Sequence, residues 1–203
     1  MNVNEAMYII TSKTELSERL CVLAEETAEA HFAAEKYWMA IKRDKKSRRI
    51  LDNEFYRKEL LQEIADVLVA MESIFSKEII MDINRNAQGM EKDKKWKDLR
   101  NVRYVLRQIL NMTEFLNEAA FKSRRLMVEN NPTTWTKSHA DGMLVLSSMS
   151  LCGFVGRFIR DNECALFEKT KEEKMIRWAK RLTEGVERDG NVQQDPEELL
   201  GNG

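Results

Sequence analysis

Apolar residues recur along this chain at intervals of three and four. Leu16, Leu20, Leu23, Thr27, Ala30 and Ala34 repeat at helical spacing and predict a helix from about residue 14 to about residue 41. Thr11-Ser12-Lys13-Thr14-Glu15 just before it looks like a helix start, with Ser12 or Thr14 as the N-cap. Leu60, Leu61, Ile64, Val67, Leu68, Met71 and Ile74 give the apolar face of a second helix over roughly 53–76. A breaker-poor stretch over about 77–87 leads to Gly89, and Glu91-Lys92-Asp93-Lys94-Lys95-Trp96 predicts a charged helix closed by an aromatic. Further helices are expected over about 101–130, 137–160 and 163–184, with Asn130-Asn131-Pro132-Thr133 as the clearest loop and a frayed tail beyond Gly185.

Turn residues decide the fold class. Pro132 is the first proline, and Gly89 is the only glycine before Gly142. Strand proteins need turn residues every eight to twelve positions or so, and here they are missing. With Ala, Glu, Lys, Leu and Met abundant, the expectation is an all-α fold.

The two halves resemble each other weakly. Glu91-Lys92-x-x-Lys95-Trp96 recurs as Glu173-Lys174-x-x-Arg177-Trp178, and Ala65-Asp66-Val67-Leu68-Val69 recurs loosely as Ala140-Asp141-Gly142-Met143-Leu144-Val145. The implied organisation is a first repeat over residues 1–100, a diverged second repeat over 101–185 and a flexible tail over 186–203.

Composition narrows the function classes. The chain is 43% hydrophobic and 33% charged, enough for a core and far from a disordered composition. A formal net charge of -1 argues against a dedicated nucleic-acid binder, although Lys42 to Arg49 is a basic run. The cysteines Cys21, Cys152 and Cys164 have no ligand spacing and are expected to be buried free thiols in a reducing compartment. No secretory leader pattern and no stretch of membrane-spanning length is present, so a cytoplasmic location without membrane contact is expected.

The chemistry lies in two acidic motifs, Glu25-Glu26-Thr27-Ala28-Glu29 and Glu63-Ile64-Ala65-Asp66. In each, acids three residues apart share one helix face. Like charges on one face repel, and charges near a core are costly unless something neutralises them. A divalent cation between the two helices would do so. Carboxylates without nearby histidine or cysteine are hard donors, which favour Mg2+, with Mn2+ also suitable, over zinc. In the second half Glu26 and Glu29 correspond to Met112 and Phe115; a register that sets Glu118 opposite Glu26 still sets Phe121 opposite Glu29, and of the second pair, with Ser138 in the place of Glu63, only Asp141 survives.

An EExxE motif followed by an ExxD motif on long helices resembles the all-α nucleoside triphosphate pyrophosphohydrolases. This MazG-like family includes the dimeric dUTPases and phosphoribosyl-ATP pyrophosphohydrolase. Leu23 to Ala30 and Leu61 to Leu68 carry the resemblance. It implies a MazG-like helical bundle, here built from two diverged repeats. It further implies that Glu26, Glu29, Glu63 and Asp66 are metal ligands and that Glu25 is a supporting catalytic acid ordering the attacking water. The family's downstream phosphate-holding cluster has Asn84, Arg85, Lys92 and Lys95 as candidates, and Trp38, Phe32 or Tyr37 would stack on the base. The expected activity is Mg2+-dependent release of pyrophosphate and a nucleoside monophosphate from a nucleoside triphosphate substrate. The resemblance also implies a homo-oligomer, a homodimer in the simplest case. The competing expectation is a non-catalytic helical adaptor on a degenerate scaffold. His31 is expected to be a partly buried structural residue rather than a ligand.

Overall fold

The computed structural model describes residues 1–43, 54–75, 99–128, 134–160 and 162–184. Six helices are described: α1 (Val3–Lys13), α2 (Leu16–Arg43), α3 (Glu54–Ile74), α4 (Leu99–Val128), α5 (Thr134–Phe158) and α6 (Cys164–Glu184). No strand occurs among the described residues, and the fold is an all-α bundle. No helix among them is long and apolar enough to cross a membrane.

The first helix was hidden by its own end signals. Asn2 caps α1 in a reciprocal box: its side chain accepts from the Glu5 N–H, and the Glu5 carboxylate accepts from the Asn2 N–H, both at 2.9 Å. Thr14 is therefore the C-cap of α1 in extended backbone, not the start of α2. Its hydroxyl donates to the Ile10 carbonyl at 2.6 Å. Arg19 reaches back from α2 and donates to the Thr11 and Thr14 carbonyls, both at 3.0 Å, which satisfies orphan acceptors at the end of α1. The Glu15 N–H is held by Glu18 at 2.8 Å as α2 begins.

α2 is the central element, with α3 on one side and α4 on the other. Its buried stripe is rich in small residues, Ala24, Ala30, Ala33 and Ala34, which lets both neighbours approach closely. Leu20, Leu23, Leu60, Ile64, Leu106, Ile109 and Leu116 fill the main core between these helices. The α2–α4 seam carries polar fasteners. Asn117 donates its amide to the Ala24 carbonyl at 2.6 Å, and His31 Nδ1 lies 3.2 Å from the Leu110 carbonyl and 3.1 Å from the Thr113 hydroxyl. His31 is thus structural, as its position one turn from Thr27 suggests. α5 packs on α4, while α6 packs on α3 and α1. Ala6, Ile10, Val69, Met175 and Ala179 form a second, smaller core there, with Trp178 packed against it.

The Met143–Met149 stretch is not uniformly core: Leu144 is buried, but Met143 and Leu146 are exposed. Among the described residues α5 packs chiefly on α4. The expectation of buried cysteines needs correction: Cys164 is exposed at the start of α6, and Cys21 and Cys152 are half-buried. Only Cys152 packs against the main core, and burial pushes its thiol up to about 12. At pH 8 about one Cys152 in ten thousand would then be thiolate. A thiol reagent at that pH should modify Cys164 in the native protein and leave Cys152 untouched until denaturant is added. Equal labelling of the two, mapped by mass spectrometry, would contradict this packing of α5.

The basic run beyond Arg43, the stretch over 76–98 with Trp96, the Asn130–Thr133 loop and the tail after Glu184 lie outside the described residues.

Candidate metal centre

α2 and α3 run antiparallel, which is what brings the two acidic motifs together. Lys36 of α2 meets Glu59 of α3 at 2.6 Å, and going down α2 and up α3 from that bridge leads to Glu29 and Glu26 opposite Glu63. The carboxylate oxygens of Glu26, Glu29 and Glu63 all lie within 4.8 Å of one another. Glu29 is exposed, and Glu26 and Glu63 are half-buried. Glu59, Glu63 and Asp66 stand at i, i+4 and i+7, a single face of α3.

The acids sit there because their flanking residues face inward. Leu23, Thr27 and Ala30 on α2, with Leu60, Ile64 and Val67 on α3, are buried and fix the rotation of each helix. Thr27 lies between the two acids of α2 and satisfies its buried hydroxyl within the helix, donating to Leu23 and Ala24 carbonyls at 2.7 and 2.9 Å.

The cluster carries an electrostatic cost. Burial pushes the Glu63 carboxyl up from the ordinary carboxylate range. Lys174 offsets that, and the nearby carboxylates of Asp66, Glu29 and Glu59 add to it. Three carboxylates this close are a donor set for a hard divalent cation. Oxygens on opposite sides of an octahedral Mg2+ lie about 4.2 Å apart, so small side-chain rotations would close this group onto one ion.

The structure divides the expected ligand set. Glu26, Glu29 and Glu63 converge, whereas Asp66 is engaged elsewhere: the Lys174 ammonium, arriving from α6, donates to its carboxylate. Glu25 is exposed and accepts from the Cys21 thiol at 3.7 Å. Trp38 packs against the main core, and the Lys42 ammonium lies 5.2 Å from its ring centroid. Tyr37 is only 1% exposed, which removes it as a stacking surface, while Phe32 is exposed with Lys36 over its ring at 4.5 Å. Asn84, Arg85, Lys92 and Lys95 lie outside the described residues.

Three residues of this neighbourhood escaped the sequence reading: Glu59, Lys36 and Lys174. For Glu59 the signal was present, since it stands one turn before Glu63. Lys174 stood out only as part of the repeated Glu-Lys-x-x-basic-Trp pattern, and its approach to Asp66 depends on how α6 packs.

No family model, curated protein or solved structure matches the chain.

Proposed function

We propose that this chain is an Mg2+-dependent nucleoside triphosphate pyrophosphohydrolase of the MazG-like kind, acting on the α-phosphorus to release pyrophosphate and a nucleoside monophosphate. The observation that carries the reading is the convergence of Glu26, Glu29 and Glu63 from two antiparallel helices within 4.8 Å, on the motifs that resemble that family. Among the described residues this is the one group of three or more acids, histidines or cysteines close enough to share an ion.

A nucleoside triphosphate and an acidic cluster repel each other. Glu26, Glu29 and Glu63 would hold Mg2+, which when bound screens that repulsion and polarises the phosphoryl group. The residues of the chain supply position and charge. Glu63, half-buried and with its carboxyl raised first by that burial, is the ligand with most to gain from a cation. Glu25 projects from the adjoining position of α2, where its carboxylate would orient water and accept a proton. Trp38, half-buried on α2, would lie against the base. Asn84, Arg85 and Lys95 are the proposed phosphate contacts. Specificity for base and sugar would then come from groups around the acids rather than from the acids themselves.

The helices fall into pairs, α2 with α3 and α4 with α5, joined through α2 and α4. That is the arrangement a duplicated helical pair would give, and it supports the two-repeat organisation. Exposed Phe115 and Phe121 on α4 and Leu146 on α5 support a homodimer.

The test is pyrophosphate release from a panel of ribo- and deoxyribonucleoside triphosphates, in Mg2+ and in EDTA. Metal-dependent release from at least one nucleotide is the expected result; no release from any of them by folded protein would remove the reading.

One observation favours a second reading, a non-catalytic adaptor on the same scaffold: Lys174 already neutralises one of the four acids. That reading requires the melting temperature to be indifferent to millimolar Mg2+.

A further inference from the structure

Lys174 enters the acidic centre from the half of the chain that lacks an acidic pair of its own. Its ammonium is bonded to Asp66, and the two side chains are 18% and 24% exposed, so the pair is largely sheltered from water. One turn away on the same seam, Lys171 meets Glu72 of α3 at 3.0 Å and Glu168 at 2.9 Å. α6 therefore lays two ammonium groups along α3, and Lys174 is the one beside the cluster. Among the described residues it is the charged group that acts most strongly on Glu63. Asp66, one turn from Glu63, falls outside the converging group.

An ammonium and a divalent ion compete for a carboxylate. Each is positively charged, and in a sheltered seam their repulsion is only weakly screened. A four-acid cluster would attract cations strongly; three acids beside a fixed ammonium attract them less.

We propose that Lys174 is a resident cation of this centre: it withholds Asp66 from the ligand set, leaves the divalent ion to Glu26, Glu29 and Glu63, and sets how tightly that ion is held. The inference rests on the metal-site reading above. Lys174 acts here as a positioning residue, through Asp66 and through its charge. Its contribution comes from the second half of the chain, which thereby completes a site whose acids all lie in the first.

Mn2+ binding, followed by the electron paramagnetic resonance signal of the free ion, tests this without any substrate. Circular dichroism checks that each variant is folded. Lys174→Met should bind Mn2+ about tenfold more tightly than the wild type, or take up a second ion, because Asp66 is released and a positive charge is removed. Lys174→Arg should restore wild-type binding. The double variant Asp66→Asn/Lys174→Met keeps the total charge and should stay within about threefold of wild type, whereas Glu63→Gln should weaken binding more than about tenfold. The double variant leaves no uncompensated charge, so it carries the test even where the single lysine variant fails to fold.

A double variant weakened as far as Glu63→Gln would make Asp66 a ligand and overturn the proposal, while the metal-site reading survived. Unchanged affinity in Lys174→Met would also overturn it. Mn2+ bound by Lys174→Met but not by the wild type would overturn it as well, because the three acids would then hold no ion beside Lys174, and would remove the proposed enzyme. Absence of binding in every protein would remove both.

Discussion

Glu63→Gln is expected to lower Mg2+-dependent pyrophosphate release by at least about a hundredfold to a thousandfold, the usual scale for losing one group that stabilises transition-state charge. The same substitution should raise the melting temperature of the ion-free protein. Burial first, and then the Asp66, Glu29 and Glu59 carboxylates, make ionised Glu63 costly in the folded chain, and the Lys174 ammonium offsets only part of this. The amide has nearly the same shape and no charge. Because the side chain is only half-buried, the gain is about 1 kcal/mol, or roughly 2–4 °C for a chain of this size. A residue whose role is only structural would show the opposite pairing, with lost stability and lost activity moving together.

The pH dependence gives this expectation a second arm. A carboxyl whose folded pKa is raised binds its proton more tightly in the folded than in the unfolded chain. Stability therefore falls as pH rises from the ordinary carboxyl range through the raised value, and is level above it. Glu63→Gln should remove that slope. Millimolar Mg2+ should stabilise the wild type and leave the variant unmoved. A variant that keeps full turnover and its Mg2+ response would show that the ion, if bound, does not use Glu63.

The helices carrying the acids could be read from the chain because their signal is local. The apolar spacing around Glu26 and Glu63 fixes which face turns inward, and α3 spans nearly the stretch expected. Residues two or three turns away follow from the same period, which is why Glu26, Glu29 and Glu63 could be placed on facing surfaces. The missed α1 was also local. Asn2-x-x-Glu5 is a helix start signal, but the stronger cluster at Thr11–Thr14 was assigned to the following helix instead of to the end of this one. Lys174 differs in kind. It lies 108 positions from Asp66, and the Glu-Lys-x-x-basic-Trp pattern around it says nothing of an acidic partner on α3. Only the packing of α6 on α3 selects it. Arg57 falls between these cases: three residues before Leu60 and seven before Ile64, it stands on the apolar face of α3, and a charge in that position announces a buried partner without naming it.

That partner is Glu163, and breaking the pair should be among the most damaging single changes in the described structure. The Arg57 guanidinium is only 4% exposed and Glu163 16%. Arg57 Nε and Nη2 donate to the two Glu163 oxygens at 2.9 and 2.6 Å, and Nη2 also donates to the Phe158 carbonyl at the end of α5. The Phe158 ring lies 4.3 Å from the guanidinium carbon, with Tyr37 of α2 edge-on to that ring. Glu163 further accepts from the Arg160 N–H at 2.8 Å. One arginine therefore ties the start of α3 to the end of α5 and the start of α6, and so fixes where α6 lies along α3. Arg57→Ala is expected to cost about 3–5 kcal/mol, because it takes the guanidinium away from a sheltered carboxylate and a carbonyl. That corresponds to a fall in melting temperature of roughly 10–15 °C. Arg57→Lys should fall between, keeping the charge but losing the fork. Arg57→Met/Glu163→Leu should recover much of the loss, since neither charge is then stranded. Burial alone would raise Glu163, but the bonds from Arg57 and from the Arg160 backbone outweigh it and hold the carboxyl below its ordinary range. The stabilisation is thus complete above the ordinary carboxyl value and is lost as pH falls through the depressed one, opposite in sign to Glu63. Arg57→Ala should accordingly flatten the acid limb of the stability curve. A loss below about 1 kcal/mol in that variant, measured by urea titration, would mean that α6 is held in place by its apolar contacts alone, and that the position of Lys174 over Asp66 does not depend on this clamp.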